Sequence, residues 1–259
     1  IKNLNFVKHF QRLALPFQTD YIRMLMDRKR YVIIMAAGSG TRMGADVPKQ
    51  FIELCGKAVL QRTIEVFVEA CPGIKVVTVL PEAHIAYWKS YCLKHNFTCP
   101  QILAKGGITR FHSVRNALQK VPDGAVVAVH DGVRPLVSVE LVREMFRKAV
   151  DIPALIPVLP CIDTMKVLKN EDGRLCTVEG AVADRSVLYA AQTPQIFHSE
   201  VLKSAYSLPY DTSFTDDASV VQKYGKSLSY TMGERLNVKI TTQEDLLLAE
   251  AVISLRDKA

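Results

Sequence analysis

Three clusters of residues have the types and spacing that phosphate chemistry requires. The first is Ala36-Ala37-Gly38-Ser39-Gly40-Thr41-Arg42-Met43-Gly44, followed closely by Pro48-Lys49-Gln50. Glycines in such a loop let backbone N–H groups approach phosphate oxygens. Arg42 adds a planar fork and Lys49 a compact point charge. Together they would grip a triphosphate and neutralise charge as a phosphoryl or nucleotidyl group moves. Two familiar loops are excluded. A Walker A loop ends in Gly-Lys-Ser/Thr, which is lacking here, and a Rossmann fingerprint needs a glycine at 43, where methionine stands.

The second cluster is His130-Asp131-Gly132-Val133-Arg134-Pro135, at the end of the apolar run Val126–Val129. A carboxylate there suits ribose hydroxyls or a magnesium ion. A phosphate nucleophile is already deprotonated at neutral pH, so His130 is not needed as a base and reads as a packing or orienting residue. The third cluster is Gly106-Gly107-Ile108-Thr109-Arg110-Phe111-His112-Ser113-Val114, a double glycine opening a helix, with a serine that would hold a base edge. Each cluster also has a plainer reading: a tight turn with solvated cations, an Asp bonding its own backbone, and an ordinary helix start.

The elements that must carry these clusters alternate. Tyr31–Met35, Ile74–Leu80, Ala125–Val129 and Ala154–Val158 are short apolar runs that read as buried strands. Residues 58–70, Pro81 to about His95, 109–120 and Ser138–Val150 read as helices, the last with Ser138 as N-cap. This order predicts an α/β fold: a mostly parallel twisted sheet with helices on both faces. Ligands of such sheets bind outside the carboxyl ends of the strands, where the first two clusters fall. Ile162–Leu168 and Leu175–Val182 flank Asn170-Glu171-Asp172-Gly173 and predict a hairpin. A lone hairpin is marginal in water, so it should pack on something, such as a second subunit. The end of the chain predicts a helix over Thr215–Tyr224, strands over Leu228–Thr231 and Asn237–Ile240, and a last helix opened by Thr242.

Composition narrows the class. The chain has 259 residues, 49% hydrophobic and 23% charged, which excludes disorder for its bulk. No run of 18 apolar residues is long enough to span a bilayer. The net charge is +7, of which residues 1–30 contribute +5 and the rest +2. A body so near neutrality is a poor match for a long polyanion, so neither nucleic acid nor membrane is expected as a partner. Six cysteines without a C-x-x-C pair read as free thiols of a reducing compartment, here the cytoplasm. Residues 1–30 read as an N-terminal extension: an upstream or appended segment, with Met26 as a possible start, or a transit peptide. Residues 31–259 read as one domain that includes the arm at about 162–182.

Taken in series, the motifs resemble the 2-C-methyl-D-erythritol 4-phosphate cytidylyltransferases of the non-mevalonate isoprenoid pathway. The glycine loop with Pro-Lys-Gln, Gly-Gly…Arg…Ser-Val and His-Asp-Gly-Val-Arg-Pro stand in that family's order. So do Asp163-Thr164-Met165-Lys166, Asp184-Arg185, Gln192-Thr193-Pro194-Gln195, Thr215-Asp216-Asp217-Ala218-Ser219 and Asn237-Val238-Lys239-Ile240-Thr241. The match runs from about Tyr31 to Ile253. The resemblance implies a nucleotide-diphospho-sugar transferase-like fold with a projecting β-arm that makes a homodimer. It implies that CTP and methylerythritol phosphate react, with Mg2+, to the CDP-alcohol and pyrophosphate. It further implies that Ala36, Ala37, Gly38 and Gly40 line CTP, that Gly107 and Ser113 read cytosine, and that Asp131 and Gly132 hold the ribose and substrate side. Asp131 is also the candidate metal ligand. Arg42, Lys49 and Lys239 are implied as transition-state stabilisers. Thr164 and Arg185 would reach a neighbouring subunit's acceptor, with Thr215 and Arg134 completing that pocket.

Some positions depart from the family. Gly132 stands where alanine is frequent, Ile108 where an acidic residue is frequent, and Cys161-Ile162 where Val-Arg is usual before Asp-Thr. Main-chain contacts at 108 and 132 would tolerate the first two. Two other functions compete: a ribitol-5-phosphate cytidylyltransferase, toward which Val133 leans, and a nucleotide-binding module without turnover. Asp163-Thr164-Met165-Lys166 and Asp184-Arg185 lean toward methylerythritol phosphate, and the pairing of Arg42 with Lys49 argues against a mere binder.

Overall fold

A computed structural model of the chain describes residues 28–38, 48–256 and 258. Strand β1 (Arg30–Met35) comes first; its four central residues, Tyr31 to Ile34, are buried. A minimal hairpin, β2 (Glu53–Leu54) and β3 (Lys57–Ala58), leads into α1 (Val59–Ala70). Then follow β4 (Lys75–Leu80), α2 (Glu82–Lys94), β5 (Gln101–Lys105), α3 (Arg110–Leu118), β6 (Val126–Asp131), α4 (Val139–Lys148) and β7 (Ala154–Pro160). Strands β8 (Leu168–Glu171) and β9 (Arg174–Thr177) form a separate antiparallel hairpin. The chain closes with β10 (Tyr189–Ala191), β11 (Gln195–His198), α5 (Ser199–Ala205), α6 (Asp217–Lys223), β12 (Ser229–Met232) and α7 (Gln243–Arg256).

The large sheet runs β10-β7-β11-β6-β1-β4-β5, with β12 beside β7. Strands β6, β1, β4 and β5 are parallel, as is the β12–β7 pair. Only β10 and β11 run against their neighbours. Side chains alternate across each strand, so one sequence feeds two cores. Ile33, Val77, Val79, Val127 and Val129 meet Phe111 and Val114 of α3, Leu202 of α5 and Val221 of α6 on one face. Val32, Ile34, Val76 and Ala128 meet Ile64 and Phe67 of α1, Trp88 of α2 and Phe146 of α4 on the other. Each fully buried Val, Leu, Ile or Phe among them contributes about 2 kcal/mol of apolar transfer. Helix α7 packs Leu246, Ala249 and Ile253 on Leu54, Val59, Leu136 and Ile240, and so seals the loop that follows β6.

The structure departs from the sequence reading in four places. Asn237–Ile240 is no strand: Val238 N–H turns back to Leu236 O (2.7 Å), Ile240 N–H donates to Val133 O (2.9 Å) and Asn237 O accepts from Arg134 Nη1 (2.7 Å). Helix α6 begins at Asp217, two residues later than expected, with Asp216 as its N-cap; Asp216 Oδ1 accepts from Ser219 N–H (2.8 Å) and the Ser219 hydroxyl closes a capping box. The hairpin strands are shorter than expected, because apolar residues on both sides of them stay outside the ladder. Strands β5, β10 and β11 and helix α5 had no period long enough to announce them.

Candidate active site

Three strands end together. Ala36 N–H, just past β1, donates to Val79 O at 2.9 Å, Gly106 N–H to Leu80 O at 2.8 Å, and Gly132 N–H to Met35 O at 2.9 Å. These bonds pin residues 36–38 past β1 and the loops after β5 and β6 around one cavity of ≈ 440 Å³. Its wall holds Met35, Ala36, Ala37, Gly38, Lys49, Gln50, Gly107, Ile108, Thr109, Arg110, Ser113, Asp131, Val133 and Lys239. Gln50 is buried and donates from Nε2 to Ala36 O (3.0 Å), which ties the Pro-Lys-Gln segment to the strand end and sets where Lys49 emerges.

The double-glycine turn is defined by what lies against it. A Cβ on Gly106 would come 2.7 Å from the Cβ of Ala37, and one on Gly107 would come 2.5 Å from the Cβ of His112. No side chain fits at either position. Ser113 Oγ accepts from Gly107 N–H (2.9 Å) and donates to Thr109 O (2.9 Å). Ser113 therefore shapes the turn, and its hydroxyl keeps one lone pair for a ligand. Thr109 caps α3 through a bond from His112 N–H (3.4 Å).

Asp131 is the charged centre. Its Oδ2 faces Lys239 Nζ at 3.1 Å and Arg134 Nε at 3.2 Å. Burial works against its charge, but Lys239, Arg110 and Arg134 more than offset that and hold the carboxyl well below its ordinary range. Its N–H donates to Thr193 Oγ1 (3.1 Å). Arg134 braces the arrangement by donating from Nη1 to Asn237 O (2.7 Å), and Asn237 Nδ2 donates to Thr193 O (2.8 Å). Gln192 clasps the same loop, giving Nε2 to Glu234 O (2.9 Å) and accepting Glu234 N–H on Oε1 (3.1 Å). The Gln-Thr-Pro-Gln motif thus positions Asp131 and the loop that presents Lys239. His130 is fully buried against Phe67, with Nε2 3.2 Å from Arg134 O. Burial lowers its pKa to about 4, so it is a neutral spacer, as the sequence suggests.

Of the residues singled out from sequence, the cavity brings together Ala36, Ala37, Gly38, Lys49, Gly107, Ser113, Asp131 and Lys239. Gly132 and Arg134 stand behind its wall. A Cβ on Gly132 would lie 3.1 Å from Met35 O and 3.2 Å from the Cβ of Ala36, so alanine there requires a small shift of β1. Ile108 is almost wholly exposed at the rim, and its side chain is not pinned. Gly40 and Arg42 lie outside the described residues, as do residues 1–27. Thr164 and Arg185 are exposed on either side of the β8–β9 hairpin; Arg185 Nη1 donates to Ile162 O (3.0 Å), which brings the two motifs side by side. Thr215 lines a separate groove of ≈ 820 Å³ with Leu188, Tyr189, Tyr230 and Met232. Arg110 and Gln50 belong to the site but were not singled out as site residues, although both sit inside quoted motifs.

The site can hold a polyphosphate against fixed cations beside one ionised carboxylate. The model of the family described as IspD, 2-C-methyl-D-erythritol 4-phosphate cytidylyltransferase, matches residues 31–255. The chain belongs to that family. Among curated cytidylyltransferases of this kind, the Porphyromonas gingivalis protein is 44% identical over 230 residues, covering 88% of this chain and 100% of its own length. The Phocaeicola vulgatus protein is 42% identical over 224 residues, covering 86% and 99%. Among solved structures, the 4-diphosphocytidyl-2C-methyl-D-erythritol synthase of Anaerococcus prevotii superposes with a TM-score of 0.71 at 27% identity, covering 90% of this chain and 99% of that one. The cytidylyltransferase of Francisella tularensis gives 0.70 at 29%, covering 86% and 99%. The fold is therefore that of the nucleotide-diphospho-sugar transferase-like cytidylyltransferases, and the ribitol alternative is not favoured.

Proposed function

We propose that this chain transfers the cytidylyl group of CTP to 2-C-methyl-D-erythritol 4-phosphate in isoprenoid precursor synthesis. A phosphate oxygen of the acceptor attacks the α-phosphorus of CTP; the bond from that phosphorus to the α–β bridging oxygen breaks, and pyrophosphate leaves with the electron pair. Both reactants are anions, so the barrier lies in bringing them together, and cations with fixed geometry lower it. The observation that carries this reading is the convergence of Lys49, Lys239 and ionised Asp131 on one cavity with the glycine turns.

Ala36, Ala37 and Gly38 line the CTP phosphates and ribose, together with Gly40. Gly107 and Ser113 receive the cytosine. Lys49 and Arg42 stabilise charge on the triphosphate, and Lys239, now bonded to Asp131, turns to the reacting phosphates when they arrive. Among the described residues no three His, Cys, Asp or Glu side chains gather. One carboxylate beside a polyphosphate suits magnesium, which typically takes one or two carboxylates and substrate oxygens. Asp131 would hold the ion, which when bound neutralises phosphate charge and aligns the α-phosphorus.

We place Thr164 and Arg185 in the partner's acceptor pocket within a homodimer, with Thr215 contributing nearby. Support comes from the arm, where Leu175, Val182 and Val187 are 69%, 90% and 70% exposed. Apolar surface of that kind favours an interface. Among the described residues no helix is long and apolar enough to cross a membrane, and six free thiols fit the reducing cytoplasm. The test is a panel of nucleoside triphosphates and sugar-alcohol phosphates read by pyrophosphate release. CTP with methylerythritol phosphate should be turned over far faster than any other pair. A preference for ribitol 5-phosphate would contradict the reading.

A further inference from the structure

Arg110, the first residue of α3, lines the cavity with Asp131 and Lys239. Its Nη2 donates to Asp217 Oδ2 at 2.6 Å, and Asp217 Oδ1 accepts from Tyr206 Oη at 2.6 Å. Asp217 is wholly buried and Tyr206 is 2% exposed. Among the described residues, Asp217 is the only hydrogen-bond partner of Arg110. A guanidinium has five donors in a rigid fork. One is spent on the anchor, and the side chain is still 32% exposed at the cavity.

Helix capping does not explain this anchor. Asp216 already caps α6, so Asp217 is not required for that task. Nor does stability explain it, because a buried ion pair typically stabilises no better than apolar groups of the same size. A carboxylate with both oxygens engaged, holding an arginine at the rim of an anion cavity, is an arrangement for presenting that arginine. Tyr206 completes it: burial and the Asp217 carboxylate both push the phenol above its ordinary range, so it remains a donor.

Position selects the ligand. In-line displacement puts the acceptor phosphate and the leaving pyrophosphate on opposite sides of the α-phosphorus. Lys49, with Ala36, Ala37 and Gly38 just past β1, serves the triphosphate. Arg110 shares the cavity wall with Asp131 and Lys239, and it lies near enough to Asp131 to help keep that carboxylate ionised. Resting on the cytidylyltransferase reading above, we propose that Arg110 binds the acceptor phosphate, presented by a buried Tyr206–Asp217 pair.

The experiment compares Arg110→Gln, Arg110→Lys and Tyr206→Phe with the wild type. It measures KM for methylerythritol phosphate, kcat, and the Kd of CTP without acceptor. Arg110→Gln should raise the acceptor KM at least tenfold and leave the CTP Kd within twofold. Arg110→Lys should recover part of the loss, and Tyr206→Phe should raise the same KM a few-fold. Tyr206→Phe keeps both charges, so it serves if the Gln variant does not fold. An unchanged acceptor KM would overturn the proposal. So would a CTP affinity that falls in parallel, which would assign Arg110 to the nucleotide. If the wild type forms no product, the cytidylyltransferase reading itself fails. Calorimetry of methylerythritol phosphate binding to protein loaded with a CTP analogue carrying CH2 at the α–β bridge then decides Arg110 separately: weaker binding in Arg110→Gln supports it, and equal binding overturns it.

Discussion

Asp131 is a junction of backbone and side-chain bonds from several loops. Its backbone is tied to Thr193, its carboxylate to Lys239 and Arg134, and Arg134 in turn to Asn237. Its neighbour His130 gives a test at this scale. The imidazole is buried, and its pKa falls from 6.5 to about 4. The unfolded chain therefore binds a proton more readily than the folded one. Stability from this group is fully present above pH 6.5 and is lost as pH falls toward about 4. Melting temperatures should drop between pH 6.5 and 4, and His130→Asn should flatten that part of the profile while lowering stability at neutral pH. An unaltered profile would place the acid sensitivity elsewhere. Asp131 and Lys49 were legible in the sequence because one ends an apolar strand and the other stands beside a proline; Lys239, flanked by Val238 and Ile240, was reached only through the family resemblance. The role of Arg110 was not, because its partner Asp217 lies 107 positions further on and only packing joins them.

Among the elements, the parallel strands β1, β4 and β6 were legible because each is an apolar run bounded by turn residues, whereas the parallel β5, Gln101–Lys105, alternates too briefly to show a period. The segment at 237–240 misled because alternation alone does not supply a neighbouring strand. There the backbone is satisfied by Arg134 and Val133 O instead. The arm was legible as a hairpin, though not in its length. Its exposed Thr164 and Arg185 make a prediction about assembly. If they serve the neighbouring subunit, Arg185→Ala and Lys49→Ala homodimers should each be nearly inactive. Their mixture, after subunit exchange, should recover about a quarter of wild-type activity, since half the dimers then carry one intact site of two. No recovery in a mixture shown to contain heterodimers, or an active monomer in sedimentation, would remove the shared site.

At the scale of the whole molecule, the fold gathers strand ends that are far apart in sequence. Residues 36–38 past β1 meet the loops after β5 and β6, and α7 holds down the segment that brings Lys239 across. The modest net charge of +7, concentrated before residue 31, fits a protein that uses a few placed cations rather than a broad field. The central claim is that these cations act mainly when the two anions react, and less when CTP merely binds. The most direct measurement is the rate of CDP-product formation in a single turnover, beside the Kd of CTP, for the wild type and Lys49→Ala. The account predicts a fall of about a hundredfold or more in the chemical step, on the order of 3 kcal/mol, with CTP affinity reduced by less than about tenfold. A chemical step left intact, or a rate and an affinity that fall by the same factor, would contradict it.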